Sequence, residues 1–471
     1  MSDSSINQPP NKTVQKIVLL IVAIGAFLTP FMMSALNIAL PSIQKEFSAD
    51  AVLLSWVATS YILATAIFLV PIGKIADIYG RNKIYKWGFI IFTFVSFGIG
   101  FVPSIELLIF MRVLQGIGGA MIMTTGMALL TSVFPPQERG KALGINVSAV
   151  YSGLSIGPFI GGVLTERLGW ESIFLLIAPF GLIVIFLAQK YLKDEWADAK
   201  DEKVDIPGSL IYALTLVALV YGSSLLPEIK GIILMLCSIP GLIFFIRRQL
   251  TIPNPVFQVR LFLNNRVFTF SSIAALINYA GTTAVTFLLS LYLQYIKAMT
   301  PQQAGLILII QPIVMAVLSP YAGRLSDKRE PAVIASFGMA GTALGLFLLI
   351  FLSQDTSLVW IICALIVLGL GFALFSSPNT NAIMSTVEKR YYGIASAAVS
   401  TMRMLGQMFS MAIVTLIISL QIGKNQLTPE FYPMFLKSIK ISFILFTCLC
   451  LLGIFFSYSR GDVHARSKAK D

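Results

Sequence analysis

The stretch Pro71-Ile-Gly73-Lys-Ile-Ala-Asp77-Ile-Tyr-Gly80-Arg81-Asn-Lys83 joins two long apolar runs. A shortened copy, Pro320-Tyr-Ala-Gly323-Arg-Leu-Ser-Asp327-Lys328, ends another apolar run 250 residues later. Both carry Gly-x-x-x-Asp followed by basic residues. Working outward, Gly116 and Gly118 recur as Gly369 and Gly371 at an offset of 253, and Gly140 recurs as Gly393 at the same offset. A fixed offset sustained over several segments means one structural unit used twice.

The unit is a set of apolar runs. A helix needs about 20 apolar residues to cross the hydrocarbon core of a bilayer. By that measure the chain has about fourteen spans, at 17–40, 52–72, 84–102, 106–130, 141–164, 170–191, 206–226, 231–247, 267–293, 302–322, 332–352, 357–378, 392–420 and 436–458. The runs are continuous rather than alternating, which excludes a β-barrel. Span 2 matches span 10, and span 4 matches span 12. The expected architecture is therefore an all-α membrane protein with six-helix bundles over 17–191 and 267–458 and two inserted helices over 206–247. Tails at 1–16 and 459–471 and linkers at 192–205 and 248–266 complete it. The charged run of the first linker, beginning at Lys193, reads as a solvated connector. The first run follows a polar tail and is too long for a signal-peptide core, so it reads as an uncleaved anchor.

Composition agrees. Of 471 residues, 56% are hydrophobic and only 12% charged, against about 25% charged in an ordinary soluble domain. Mean hydropathy is +0.83. A soluble multidomain enzyme, a disordered chain and a secreted disulfide scaffold are excluded. The net charge of +12 is no nucleic-acid signal, because the basic residues sit in short connectors. With the N-terminus in the cytoplasm and connectors alternating, 25 of the 34 Lys and Arg fall on the cytoplasmic side and 7 outside. That asymmetry predicts both termini in the cytoplasm, an even number of spans and a cell-membrane location. The four cysteines lie within apolar runs at no metal-site spacing, and the single histidine, His464, lies in the tail. No metal site, cofactor or phosphate-binding loop is expected.

Four motifs carry chemistry. Gly73-x-x-x-Asp77-x-x-Gly80-Arg81-x-Lys83 closes span 2. Arg112-Val-Leu-Gln115-Gly116-Ile-Gly118-Gly119-Ala120 lies in span 4. Gly153-Leu-Ser-Ile-Gly157-Pro158-Phe-Ile-Gly161-Gly162 lies in span 5, and Leu36-Asn37-Ile-Ala39-Leu-Pro41 ends span 1. Glycines four apart share one helix face, and small residues let helices approach closely in lipid. Pro158 removes a backbone donor and bends the helix. In this order these motifs resemble those of the major facilitator superfamily, in its fourteen-span drug-exporter branch. The resemblance covers the whole chain. It implies alternating access between two six-helix bundles, export of hydrophobic or amphipathic compounds, and protons as the coupling ion. It also implies that Asp77, with Gly73, Gly80, Arg81, Lys83, Gly323 and Asp327, forms a conformational gate. There Asp77 would meet the positive N-terminus of the helix opening near Gly393 and latch the cytoplasmic face shut. The span-5 glycines would seal one bundle against the other.

Arg112 and Arg403 are charges inside otherwise uncharged runs, at a depth where charge needs a polar cavity or a partner. With Asn37, Gln115, Asn278, Gln311, Asn379 and Gln407 they are the candidate cavity and coupling residues. One departure stands out. The branch carries an Asp in span 1 where this chain has Met32, and no Asp or Glu lies in the core of any span. An acid-free cavity with two cations opens a second expectation, transport of organic anions or lipid-like amphiphiles without the usual proton route. A membrane sensor or scaffold is a third class, and no soluble domain is seen to carry its signal. The expected partners are a small-molecule substrate and the bilayer, with the chain working as a monomer, not as an enzyme.

Overall fold

The computed structural model describes residues 12–461, except 136–137, 198, 200–201 and 387–391. His464, and the side chain of Asp327, lie outside what is described. The described residues form helices and connectors, with no strand among them. Fourteen long helices run in chain order: span 1 Lys12–Phe47, span 2 Ala51–Tyr79, span 3 Arg81–Ile99, span 4 Ile105–Val133, span 5 Arg139–Leu168 and span 6 Glu171–Tyr191. Spans 7 and 8 are Ile206–Ser224 and Ile229–Thr251. Spans 9 to 14 are Arg266–Ile296, Pro301–Ser326, Pro331–Leu349, Leu358–Ser385, Tyr392–Gln421 and Pro429–Tyr458. Thirteen of them are long and apolar enough to cross a membrane. Span 3 falls short because Arg81, Asn82, Lys83 and Lys86 dilute the first turns of a helix only 19 residues long.

Helix ends follow their local sequence. Asp50, Ser104, Asn265, Thr300 and Ser357 each accept a backbone N–H from the first turn that follows, satisfying donors that no helix can satisfy itself. Thr300 and Gln303 form a reciprocal capping box.

The repeat has a packing reason. A Cβ on Gly116 would stand 2.7 Å from the Tyr61 carbonyl of span 2, and one on Gly369 would stand 2.7 Å from the Gln311 carbonyl of span 10. Gly118 meets span 3 at Gly88 and Phe92, while Gly371 meets span 11 at Gly338, Gly341 and Thr342. Gly153 rests on the Phe27 carbonyl of span 1 (2.3 Å from a built Cβ), and Gly406 rests on the Leu276 carbonyl of span 9 (2.4 Å). Each bundle thus has the same backbone-to-backbone seams: spans 1–5, 2–4 and 3–4 in one, 9–13, 10–12 and 11–12 in the other. Lipid supplies no hydrophobic drive between helices, so association rests on this closeness.

The bundles meet along spans 5 and 10 and along spans 2 and 13. Span 7 packs on spans 2 and 13 from outside, and span 8 packs on span 7. Leu214, Leu236, Ile239 and Phe244 stay exposed on this hairpin, which suits a lipid-facing surface. Its base is stapled by Asp205, which accepts Gly208 N (3.1 Å), Arg248 Nε (2.9 Å), Arg248 Nη2 (2.6 Å) and Gln249 Nε2 (2.9 Å). Burial pushes the Asp205 carboxyl up, but the hydrogen bonds from Arg248, Gly208 and Gln249 outweigh it and hold the group below its ordinary value. A carboxyl depressed by folding stabilises the folded state above its unfolded pKa, and the contribution is lost as pH falls through the folded one. Asp205→Asn is therefore expected to cost about 1–2 kcal/mol at neutral pH, given a partner one-third exposed. The deficit in thermal midpoint against the parent shrinks below about pH 4, and a pH-independent deficit would contradict this account.

Candidate functional site

Between the bundles, span 4 places Arg112 in a nearly sealed pocket, 1% exposed. Its Nε donates to Val57 O (3.1 Å) and its Nη1 to Gln115 Oε1. Gln115 Nε2 donates in turn to Ser96 Oγ at 2.6 Å. The guanidinium lies over the Tyr61 ring, 4.4 Å from its centroid, with Phe174 at 5.9 Å. None of these partners is an acid. Carbonyl dipoles and aromatic faces carry the charge instead. Next to it Met33, Asn37, Ile62, Thr283 and Met411, from spans 1, 2, 9 and 13, enclose a cavity of about 10 Å³. That is about the space one water needs, so at this depth the two bundles are shut.

The seal continues to the face remote from the termini. Ser290 Oγ donates to Asn37 O (2.6 Å), Gln294 Nε2 to Ile38 O (2.9 Å) and Gln426 Nε2 to Ser48 O (2.6 Å). Tyr295 reaches Gln44, Thr415 Oγ1 lies 3.1 Å from Ser55 Oγ, and Glu166 accepts Gln302 N at 3.1 Å. Toward the termini, among the described residues, this pattern stops. The innermost contact there is Tyr151 Oη to Ser376 Oγ at 3.3 Å. Beyond it Ile145 and Val147 of span 5 are exposed, and open space surrounds Gly144. Among the described residues, the bundles part on the face that carries the termini.

Arg403 lies where they part. Its Nε is buried with no hydrogen-bond partner among the described residues, and so is Oε1 of Gln407, one turn along span 13. Tyr279 packs edge-on to Phe372, 5.4 Å between centroids. The other polar candidates are placed differently. Asn278 is fully buried, with Nδ2 3.4 Å from Met339 Sδ and its oxygen unpartnered. Gln311 is buried in the seam of spans 10 and 12. Asn379 donates to Ser271 O at 3.0 Å.

The span-5 motif divides by face. Gly153, Gly157 and Gly161 turn to span 1, meeting Phe27, Ser34 and Ala35 inside their own bundle. The contact across the bundles belongs to Pro158, whose carbonyl abuts Gly305, and to Gly162, which abuts the Pro301 carbonyl. In the hairpin of spans 2 and 3, Asp77 pairs with Arg81 at 2.8 Å, and Arg81 Nη1 donates to Ser132 Oγ at 2.8 Å. Lys83 is exposed, Gly73 lies near Thr124, and Gly323 near Ser377.

Two features escaped sequence reading. The linker read as a solvated connector is docked: Trp196, Ala199 and Glu195 all bond to the hairpin. Its alternating acids and bases gave no period to mark that face. Arg460, assigned to the polar tail, is instead buried. It donates to Ser457 O (2.7 Å), Ser271 Oγ (3.0 Å), Asn379 Oδ1 (2.8 Å) and Ser457 Oγ (2.8 Å). An arginine just past an apolar run reads as a topology signal, and only its distant partners reveal otherwise. Among the described residues no group of three His, Cys, Asp or Glu could hold a metal ion.

Comparison with known proteins matches this arrangement. The chain is 32% identical over 443 residues to the riboflavin transporter RibZ of Clostridioides difficile, covering 93% of this chain and 96% of that one. It is 30% identical over 409 residues to the multidrug resistance protein Stp of Mycobacterium tuberculosis, covering 86% and 75%. Among solved structures, a bacterial homologue of the human lysosomal transporter Spinster superposes with a TM-score of 0.69 at 16% identity, over 96% of this chain and 97% of that one. A D-xylose–proton symporter superposes at 0.68 and 14%, over 94% and 97%. The family model described as Major Facilitator Superfamily matches residues 22–411. With its repeated glycine seams, its paired bundles and these relatives, the chain belongs to the major facilitator superfamily, a multi-pass membrane transporter and not an enzyme.

Proposed function

We propose that this transporter exports amphipathic organic compounds across the plasma membrane by alternating access, as a monomer with both termini in the cytoplasm. On that reading the parted face is the cytoplasmic one, and the conformation described is the loading state. The observation that carries the proposal is the asymmetry of the central seam. It is shut to about one water beside Arg112, while on the parted side Arg403 keeps a buried Nε without a hydrogen-bond partner among the described residues. Such a surface suits a flat amphiphile with a polar edge. The names of the relatives, a riboflavin transporter and a multidrug resistance protein, fit that ligand shape. Family likeness makes the proton-motive force the drive.

One observation favours a narrower reading. Arg403 Nε and Gln407 Oε1 lack hydrogen-bond partners among the described residues, and the partners of Arg112 are a carbonyl, an amide and two rings. A guanidinium with a donor left open prefers a carboxylate or phosphate, so the substrate would carry anionic character. The test is uptake and efflux of cationic, neutral and anionic fluorescent amphiphiles, riboflavin included, in transporter-deficient cells with and without a protonophore. Arg403→Ala is expected to lower transport of anionic compounds about tenfold or more and that of neutral ones far less, since one charge-assisted hydrogen bond is worth about 1.5–3 kcal/mol. Arg112→Ala, which removes an internally satisfied group, is expected to lower transport of all of them. Selective, protonophore-sensitive export of cations would overturn the anionic reading. No movement of any compound in either direction would overturn the proposal as a whole.

A further inference from the structure

The helix of span 3 starts at Gly80, whose φ of +113° and missing side chain leave it no cap of its own. The cap comes from 113 residues away. Glu195 Oε1 accepts Asn82 N at 2.8 Å, and Oε2 accepts Lys83 N at 3.1 Å. A Cβ on Gly80 would stand 2.3 Å from Glu195 Cδ, so glycine is what lets the carboxylate in. The rest of the linker holds Glu195 there. Arg81 N donates to Trp196 O (2.9 Å), and Asn82 Nδ2 to Leu192 O (2.7 Å) and Asp194 O (3.0 Å). Lys86 Nζ reaches Leu192 O (2.6 Å), Ala199 N reaches Asp77 O (2.9 Å), and Lys74 pairs with Glu202. A free loop would not make six such contacts besides those of Glu195 itself.

The consequence falls on Asp77. It ends span 2, four residues before the start of span 3, and an uncapped helix N-terminus is a site for a carboxylate. Left empty, that terminus would draw Asp77 into its own hairpin. With Glu195 in place, Asp77 pairs sideways with Arg81, its side chain 40% exposed. It stays free to exchange Arg81 for a partner across the cleft. We propose that Glu195 is a positioning residue of the gate, filling the N-terminus of span 3 so that Asp77 remains available to close the terminus-bearing face. This rests on the reading of Asp77 as the gate acid.

The experiment is a distance distribution between spin labels at Ile145 and Tyr321, on spans 5 and 10 of the parted face. It is taken on the full-length, cysteine-free protein in lipid, with the thermal midpoint recorded beside it. Asp77→Asn and Glu195→Ala are each expected to raise the ratio of open to closed populations about fivefold, a typical worth for a charge at a helix end. Glu195→Gln, which keeps an acceptor but no charge, falls between parent and alanine. The double variant Asp77→Asn/Glu195→Ala is no more open than Asp77→Asn alone, because the two act through one acid. Should Glu195→Ala lower only the thermal midpoint and leave the distribution unchanged, Glu195 is a cap and nothing more, and the inference fails. Shifts that multiply in the double variant overturn it too. An unchanged distribution in Asp77→Asn overturns the gate reading itself, a result distinguishable from failure of Glu195 alone.

Discussion

Gly305→Val is expected to drive the transporter out of the conformation described here without unfolding it. A Cβ at residue 305 would stand 2.2 Å from the Pro158 carbonyl of the opposite bundle. Gly162 is its mirror, with a built Cβ 2.5 Å from the Pro301 carbonyl. In both cases the obstacle is backbone, which no rotamer change relieves. The bundles must separate at the face remote from the termini, and that separation is what the proposed alternating access provides. Overpacking of this kind costs about 1–3 kcal/mol. If only one of two states bears that cost, their ratio moves by about 5- to 150-fold. The readout is labelling of a cysteine placed at Thr283, beside the closed cavity, by a membrane-impermeant thiol reagent. The native Cys237, Cys363, Cys448 and Cys450 are first replaced. Labelling from the remote face rises in Gly305→Val and in Gly162→Val. Gly161→Val is the control, because its Cβ meets Ala35 Cα at 2.8 Å inside one bundle, a contact that rigid bundles keep in either state. It is expected to lower the yield of folded protein without raising labelling. Equal behaviour of all three would show that the seam of spans 5 and 10 is not the part that opens.

Arg460→Ala is expected to destabilise the second bundle more than any other single change in its polar groups. The guanidinium ties Ser457 at the end of span 14 to Ser271 of span 9 and Asn379 of span 12, and Ser457 in turn meets Ser336 of span 11 at 3.0 Å. Three helices share one cation, and a fourth joins them through Ser457. Burial pulls Arg460 down to about 10, with Glu330 pulling it up, so it stays charged at neutral pH. Truncation leaves buried acceptors bare at about 1–3 kcal/mol each and opens a void besides. A loss of about 3–5 kcal/mol follows, the range seen when one side of a buried charged network is removed. In detergent the thermal midpoint should drop by about 5 °C or more. Arg460→Lys recovers little of it, because an ammonium cannot span Asn379 and Ser457 as the planar fork does. A variant as stable as the parent would mean that the network is incidental.

Arg460 also shows where sequence reading ends. The same residue type, just past another apolar run, is exposed at Arg329 and is a structural centre here. Arg112 was legible, since a lone charge in an apolar run demands an account at any fold. Its account, a carbonyl, an amide and two rings without an acid, was not, because Val57 and Ser96 come from other helices. Gly406 could have been found by the offset of 253 from Gly153, which repeats the close approach of span 5 on span 1. The span-5 glycines were read as one sealing face. The packing separates them by one position, Gly161 inward and Gly162 across, a distinction of about 100° on a helix.

The amino-acid sequence by itself determined the membrane class, the spans, the twofold repeat with its insert and the glycine seams. These depend on stretches of about 20 residues and on residues of one helix face, where composition and period suffice. Only the tertiary structure decided which face of the molecule is shut, that Arg112 is satisfied while the Nε of Arg403 has no partner among the described residues, and where the charged linker lies. Those outcomes rest on contacts between residues more than 100 positions apart, Glu195 to Asn82 or Gln294 to Ile38. No local periodicity encodes such pairs, because each side chain sits correctly in its own helix whichever partner it finds.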